Sequence, residues 1–381
     1  MRNNIPVIYY HSVAPSRSTT WSRSWLTLEL RFFEAHLKYF KENNYKTLLL
    51  DEYFDLKRDG FGRGKYLVLT FDDGYADNYI YAFPLLKKYG FKGTIFVNPS
   101  LVDAKAGRRK SLLDYWNNRV SLKEIEQWGF LTWDEMREME RAGVVDIQSH
   151  TLTHTKYFVS DVLVGFHRPG ADSLYTIGNR FPERRPYYMS DPNFHRLIPY
   201  GYPLFQEASS VIAKRVTINA DFDHAIVKSL SSVDWSKPYD FSDLYRRIEP
   251  LYSEYKKNDA IVATTETQDE FEERVHEEVE MSKQNIEKAL NKSVYFLCWP
   301  HGDNNGFVHS VALEAGYEAT TLGKMPVEFL DSSRFDRMGL GQLGNSVFLT
   351  TLKTKYKMES HRKVQPYYGA RRAYELLKGR A

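Results

Sequence analysis

Two short runs in this sequence carry side chains that could hold a metal ion and move a proton. Asp72 and Asp73 follow the apolar stretch Tyr66 to Phe71 and precede Gly74, which permits the sharp turn a strand end needs. Adjacent side chains leaving a strand point to different sides, so one carboxylate can ligate a metal while its neighbour stays free to take a proton. Further on, His150 and His154 follow a second apolar stretch, Val144 to Ser149. Four-residue spacing lets two imidazoles converge on one ion, and two histidines with one carboxylate make a catalytic metal set that leaves a position for water. Each run also has an ordinary reading, Asp-Asp-Gly as a solvated turn and the histidines as a structural pair.

The elements that must position these groups are legible as alternating strands and helices. Ile5 to Tyr10, Tyr45 to Leu50, Tyr66 to Phe71, Thr94 to Asn98, Val144 to Ser149, Val294 to Trp299 and Tyr317 to Leu322 read as buried strands. Between them Leu30, Phe33, Leu37 and Phe40 share a helical face; Thr132 with Glu135 and Thr267 with Glu270 have capping-box spacing; Gly90, Gly143 and Gly316 stand where helices should stop. Such alternation implies a parallel sheet with its helices outside. Seven or eight units predict a distorted (β/α) barrel, with an open doubly wound sheet as the alternative. In a barrel the active site lies at the C-terminal strand ends, and Asp72, Asp73, His150, His154, His11 and Pro300 all follow an expected strand. That shared address favours the chemical reading of both runs.

The alternation breaks over residues 157–267, where five prolines between Phe181 and Pro203 precede two amphipathic runs, near Phe205 to Val216 and Phe241 to Tyr255. This stretch is expected to be a large insertion after the histidines, a lid or substrate-shaping subdomain within a single domain spanning 1–381. The composition is that of a packed globular chain, 42% hydrophobic and 27% charged. Its net charge of +3 is unevenly placed: the last 31 residues hold nine Lys or Arg against two Glu, a local +7, leaving −4 elsewhere. The basic tail, 351–381, could lie against an anionic membrane surface or simply be a solvated helix face, while no interleaving of basic and aromatic residues points to nucleic acid. The short apolar start after Met1-Arg2-Asn3-Asn4, the lack of any long apolar segment and the single cysteine, Cys298, lead to the expectation of a cytoplasmic chain.

Three motifs in order, Thr70-Phe71-Asp72-Asp73-Gly74-Tyr75, the run His150 to His154, and Trp299-Pro300-His301-Gly302, resemble those of the NodB-homology polysaccharide deacetylases, carbohydrate esterase family 4. The resemblance covers roughly residues 5–156 and 268–340. It implies metal-dependent hydrolysis of the N-acetyl group of a hexosamine in a polysaccharide, oligosaccharide or lipid-linked glycan. Carried over, it makes Asp72 the base, makes Asp73, His150 and His154 the ligands of a divalent metal, with Zn²⁺ expected, and puts a backbone N–H near His301 against the oxyanion. The His301 side chain itself, His309 and His361 read as packing, helix-surface and tail residues.

Two departures from the common pattern matter. Cys298 stands where many members have the arginine that orients the base, which leaves Arg337, in Arg334-Phe335-Asp336-Arg337, as the substitute. No Leu-x-His motif follows near the C-terminal end; both departures are similar to the circularly permuted poly-N-acetylglucosamine deacetylases, where Tyr10-His11-Ser12 would supply the missing histidine as general acid. A hydrolase of small non-sugar amides and a non-catalytic glycan-binding protein are the competing readings.

Overall fold

The computed structural model describes residues 5–18, 21–60, 64–105, 107–125 and 128–377. The first four residues and the end of the basic tail, 378–381, lie outside them.

Nine described strands make one sheet in which every pair is parallel. They are β1 (Val7–Tyr10), β2 (Lys46–Leu48), β3 (Tyr66–Phe71), β4 (Gly93–Val97), β5 (Val145–Ser149), β6 (Phe296–Leu297), β7 (Ala319–Thr321), β8 (Arg334–Phe335) and β9 (Met338–Gly339). The order is β8-β7-β6-β5-β4-β3-β1-β9, with β2 paired to the first half of β3. Strands β8 and β9 are the two ends of that path, yet only Asp336 and Arg337 separate them in sequence. Three residue steps span at most about 10 Å, so the sheet curls until its ends nearly meet. This curled parallel sheet is consistent with the distorted (β/α) barrel expected; an open sheet with distant edges is not what forms.

The period of two in a strand decides what faces where. Leu67, Leu69 and Phe71 join the large cluster under the helices, whereas Val68 of the same strand packs with Val7, Phe96, Phe296, Cys298, Ala319 and Phe335 in a second cluster inside the curl. Phe54, stacked on Phe296 with ring centroids 5.2 Å apart, fills the interior from residues 48–54. Continuing the inward parity along each strand gives Asp72, His150, Cys298, Arg337 and His11. The helices outside include α1 (Leu30–Glu42), α2 (Trp133–Arg141), α3 (Gln268–Leu290) and α4 (Val347–His361). Phe33, Leu37 and Phe40 of α1 are fully buried. Both anticipated capping boxes are present, Thr132 with Glu135 on α2 and Thr267 with Glu270 on α3.

Residues 156–265 build a unit with its own apolar cluster, including Phe166, Phe205, Phe222, Ile226, Ile248 and Tyr252. Strands Lys156–Phe166 and Pro203–Ser209 pair antiparallel, as do Val216–Ile218 and Val262–Thr265, and helices Ala220–Ser229 and Phe241–Lys257 pack on them. The amphipathic run at Phe205 to Val216 is therefore not one element: its first part is strand, because Phe205 buries inward against Phe158 while Gln206 and Glu207 face solvent. The tail is less solvated than its charge suggests. Thr350, Thr354 and Met358 of α4 are fully buried, with Glu359 accepting a hydrogen bond from Tyr39 of α1 at 3.4 Å. No described helix is long and apolar enough to cross a membrane.

Candidate active site

The C-terminal ends of β1, β3, β5 and β6 open into one cleft of about 810 Å³, lined among others by His11, Asp72, Asp73, His150, His154, His301 and Arg337. The structure thus brings together every residue the sequence singled out for the site. Asp72 reaches it by strand parity. Asp73 has the wrong parity and gets there because its φ is +72° and that of Gly74 is +69°, which turns the chain sharply at the end of β3. A Cβ at Gly74 would also sit 3.0 Å from Val97, so glycine serves both the turn and the packing. The loop after β5 is likewise bent, with φ of +63° at Thr151 and +51° at His154. Backbone held in such regions costs about 1–3 kcal/mol per residue and persists only where its surroundings over-determine it.

Those surroundings are visible. Asn98 Nδ2 donates to the carbonyls of His150 and Thr151, the latter at 3.0 Å. Glu278 of α3 accepts from the Thr153 amide at 3.0 Å and from its hydroxyl, and its own carbonyl receives the Leu152 amide at 2.9 Å. Asp77 and Asn78 do the same for the turn after β1: Ser12 donates to Asp77 at 2.5 Å, and Asn78 Nδ2 donates to the His11 carbonyl at 2.9 Å. Burial pushes the Asp77 carboxyl up to about 7, against the hydrogen bonds from Ser12, Val13 and Asn78.

One oxygen of Asp73, His150 Nε2 and His154 Nε2 lie within 4.8 Å of one another. Both imidazole nitrogens are 3.2 Å from Asp73 Oδ1, yet that buried oxygen makes no hydrogen bond, so the three atoms face a common point rather than one another. His150 Nδ1 lies 2.7 Å from the Cys298 carbonyl, an acceptor only, which places the proton on Nδ1 and turns the Nε2 lone pair to that point. Burial disfavours charge on Asp73, but the His154 and His150 imidazoles outweigh it and hold the carboxyl well below its usual range. Two imidazole nitrogens and a carboxylate oxygen at this spacing fit a divalent ion of the zinc type. Asp72, His150 and Cys298 form a second such group, but the Arg337 guanidinium at 3.0 Å from the sulfur excludes a cation there.

Asp72 is gripped by both forks of Arg337, Nη1 to Oδ1 at 2.7 Å and Nη2 to Oδ2 at 2.9 Å. Burial acts to raise its pKa and the guanidinium outweighs burial, holding Asp72 below the ordinary carboxylate range. Arg337 itself lies 5.2 Å from the centre of the Tyr9 ring and 5.7 Å from that of Phe96, the inward neighbours on β1 and β4. His11 Nε2 stands 3.7 Å from Asp72 Oδ2, and its side chain is 24% exposed, open to the cleft.

His301 has φ of +59° in the turn Pro300–Gly302 and packs edge-on to His154 with ring centroids 4.5 Å apart. Arg23 Nη1 donates to the Tyr175 hydroxyl at 2.7 Å, and that hydroxyl lies 3.2 Å from His301 Nε2. Burial and then the positive groups around it depress the His301 pKa far below the usual imidazole range, so the ring beside the Tyr175 hydroxyl is neutral. Sequence reading missed Arg23, Asp77, Tyr175 and Glu278; only the polar pair Asp77-Asn78, just beyond the turn after the aspartates, carried a local signal. It also put His309 on a helix surface, whereas that ring is buried between Thr320 at 3.0 Å and Ser333 at 3.1 Å.

Polar groups gathered at the C-terminal ends of a curled parallel sheet are consistent with the plan of an α/β-barrel protein. Residues 60–167 match the family model described as Polysaccharide deacetylase. YxkH of Bacillus subtilis (strain 168), whose name places it among the polysaccharide deacetylases, is 34% identical over 151 residues, 39% of this chain and 43% of that protein. The poly-beta-1,6-N-acetyl-D-glucosamine N-deacetylase of Escherichia coli (strain K12) is 27% identical over 150 residues, 39% of this chain and 21% of its own length. The matches span less than half of either relative. Among solved structures, a de-N-acetylase from Aggregatibacter actinomycetemcomitans superposes with a TM-score of 0.51 at 17% identity, covering 88% of this chain and 94% of that one, a likeness of fold. The likeness to polysaccharide deacetylases is thus carried by residues 60–167 and by matches of about 150 residues.

Proposed function

We propose that this protein is a divalent-metal-dependent hydrolase that removes the acetyl group from an N-acetyl hexosamine within a glycan. The observation that carries the proposal is the pairing of two arrangements in one cleft: three ligand atoms within 4.8 Å, and beside them a buried carboxylate clamped by an arginine. Asp73, His150 and His154 would hold the ion, Zn²⁺ by donor type, which when bound supplies a Lewis acid for the acetyl carbonyl and the attacking water.

The remaining work falls to the chain's own groups. Asp72, kept ionised by Arg337, takes the proton of the attacking water. Arg337 never meets the substrate in this reading; it fixes the orientation and charge of Asp72. His11, beside Asp72 and open to the cleft, gives a proton to the departing amine. The backbone of the Pro300–Gly302 turn, near His301, donates to the oxyanion, a contact worth about 3 kcal/mol per donor. Residues 157–267 act as the wall that selects the glycan, since Lys156, just before them, and Asp172 and Tyr175 within them line the cleft opposite the barrel.

Acetate release from a panel of N-acetylated oligosaccharides and lipid-linked sugars, with and without a chelator, tests the reading. Release that the chelator abolishes and added metal restores supports it. A folded, metal-loaded protein that releases no acetate from any of them defeats it.

A further inference from the structure

One side of the cleft is charged in a way the proposed chemistry leaves unused. Lys353 and Lys357 stand four residues apart on α4, so they share a helical face, and both line the cleft that holds Asp72 and His150. Lys353 Nζ donates to the Gln342 carbonyl at 2.9 Å and Lys357 Nζ to the Gly339 carbonyl at 2.5 Å. An ammonium carries three donors, which leaves two on each lysine.

No carboxylate pairs with either lysine among the described residues. Of the cleft's acids, Asp72 is held by Arg337, Asp73 faces the two histidines and Asp172 is paired with Arg23 at 2.7 Å. The fourth, Asp336, makes no ion pair with them. The groups around the pair are positive or neutral: Arg371 from the helix Tyr367–Leu377, and His36 of α1, whose ring burial drives down to about 3 and keeps uncharged. Burial lowers the pKa of both lysines, and Lys353 lowers that of Lys357 further. Bracing two carbonyls does not account for this arrangement. A neutral donor would brace them without half-burying two like charges side by side.

The pair also has a defined place. Gly339, which receives Lys357, is two residues beyond Arg337, and its strand partner on β1 is Tyr9, two residues before His11. The carbonyl that Lys357 braces is therefore about two residue lengths, or ~7 Å of chain, from Arg337, beside the strand that leads to His11. Arg17 lines the same cleft.

We infer that this side of the cleft binds an anionic group carried by the glycan itself, and that two compact ammonium charges suit a phosphate ester. The inference rests on the glycan reading above and names a substituent of that substrate.

Calorimetric titration of the metal-loaded protein with chitobiose 1-phosphate, neutral chitobiose and a glucuronate-terminated disaccharide tests it, with acetate release from neutral chitooligosaccharides followed in parallel. The phosphorylated sugar should bind at least about 10-fold more tightly than the neutral one. That preference should vanish in Lys353→Met/Lys357→Met with metal content and neutral-sugar affinity unchanged, and return in Lys353→Arg/Lys357→Arg. The single Met variants, each losing part of the preference, serve if the double variant does not fold. Equal binding of the phosphorylated and neutral sugars overturns the inference. So does a preference that survives in the Met variants but disappears with the metal, which would put the phosphate on the ion. A stronger preference for the glucuronate sugar would replace phosphate by carboxylate. Absence of acetate release beside an intact phosphate preference would remove the deacetylase reading and leave this site standing.

Discussion

Arg337 and Asp72, 265 residues apart in sequence, meet through two parallel hydrogen bonds of 2.7 and 2.9 Å in the floor of the cleft. The guanidinium is what allows a fully buried carboxylate to stay charged, since burial alone would raise its pKa. In Arg337→Met the opposing charge is gone, and Asp72 titrates at higher pH. The acid limb of the kcat/KM profile, which lies below the ordinary carboxylate range in the parent, should move upward, with a loss of about 10- to 100-fold at neutral pH. A pH–rate profile that keeps its acid limb would contradict the assignment.

Metal content separates the two aspartates. The chain should purify with about one divalent ion, and Asp73→Ala or His150→Ala should lose both the ion and activity. Asp72→Asn should retain the ion while turnover drops by about 10² to 10⁴, because a proton acceptor goes and no ligand does. Elemental analysis of the purified variants decides: an empty Asp72→Asn beside a loaded Asp73→Asn would reverse the roles.

His11→Gln should lower kcat by about 10² to 10⁴ with metal content and KM nearly unchanged. Steady-state kinetics on the variant read both parameters at once. Turnover close to the parent's would remove His11 from proton transfer and leave it a strand-end residue.

Asp77 gives a stability prediction independent of activity. Its folded value near 7 exceeds the ordinary carboxylate value near 4. The contribution is therefore complete below about pH 4 and lost as pH rises through about 7, where charging the buried group opposes folding. Denaturant titrations across that window should show stability falling with pH in the parent and a flatter dependence in Asp77→Asn. An equal slope in both would show that Asp77 does not titrate there.

Tyr175 tests the proposal that residues 157–267 form a wall of the cleft. Tyr175→Phe removes the hydroxyl between Arg23 and His301. It should change relative kcat/KM among glycans by about 10-fold while metal content holds. Uniform kinetics across the panel would assign that wall a purely structural part.

The residues most readable from sequence were those whose position follows from a long apolar strand. Tyr66 to Phe71 and Val144 to Ser149 announce themselves, and parity then aims Asp72 and His150 inward. Strands β8 and β9 have two residues each, too few to show a period, so the segments that close the expected barrel could not be read and Arg337 rested on resemblance alone. Asp73, Thr151 and His154 reach their places through positive φ, which no hydrophobic pattern encodes. Glu278 escaped notice because a glutamate on an acidic helix looks solvated until the loop it clamps is packed against it. In residues 156–265, the strand at Phe205 was hidden within a run, Phe205 to Val216, that read only as amphipathic.

The two-residue link between β8 and β9 also sets the order in which the molecule becomes competent. Arg337 sits on the seam where the first and last strands of the sheet path approach, so the clamp on Asp72 forms only when that seam closes. Until residue 337 is in place, Asp72 lacks the guanidinium that holds its buried carboxyl charged. Fraying of the same seam in the finished protein would release Asp72 from Arg337 without touching Asp73, His150 or His154, so amide exchange at Met338 and Gly339 gauges how often the proposed base loses its clamp.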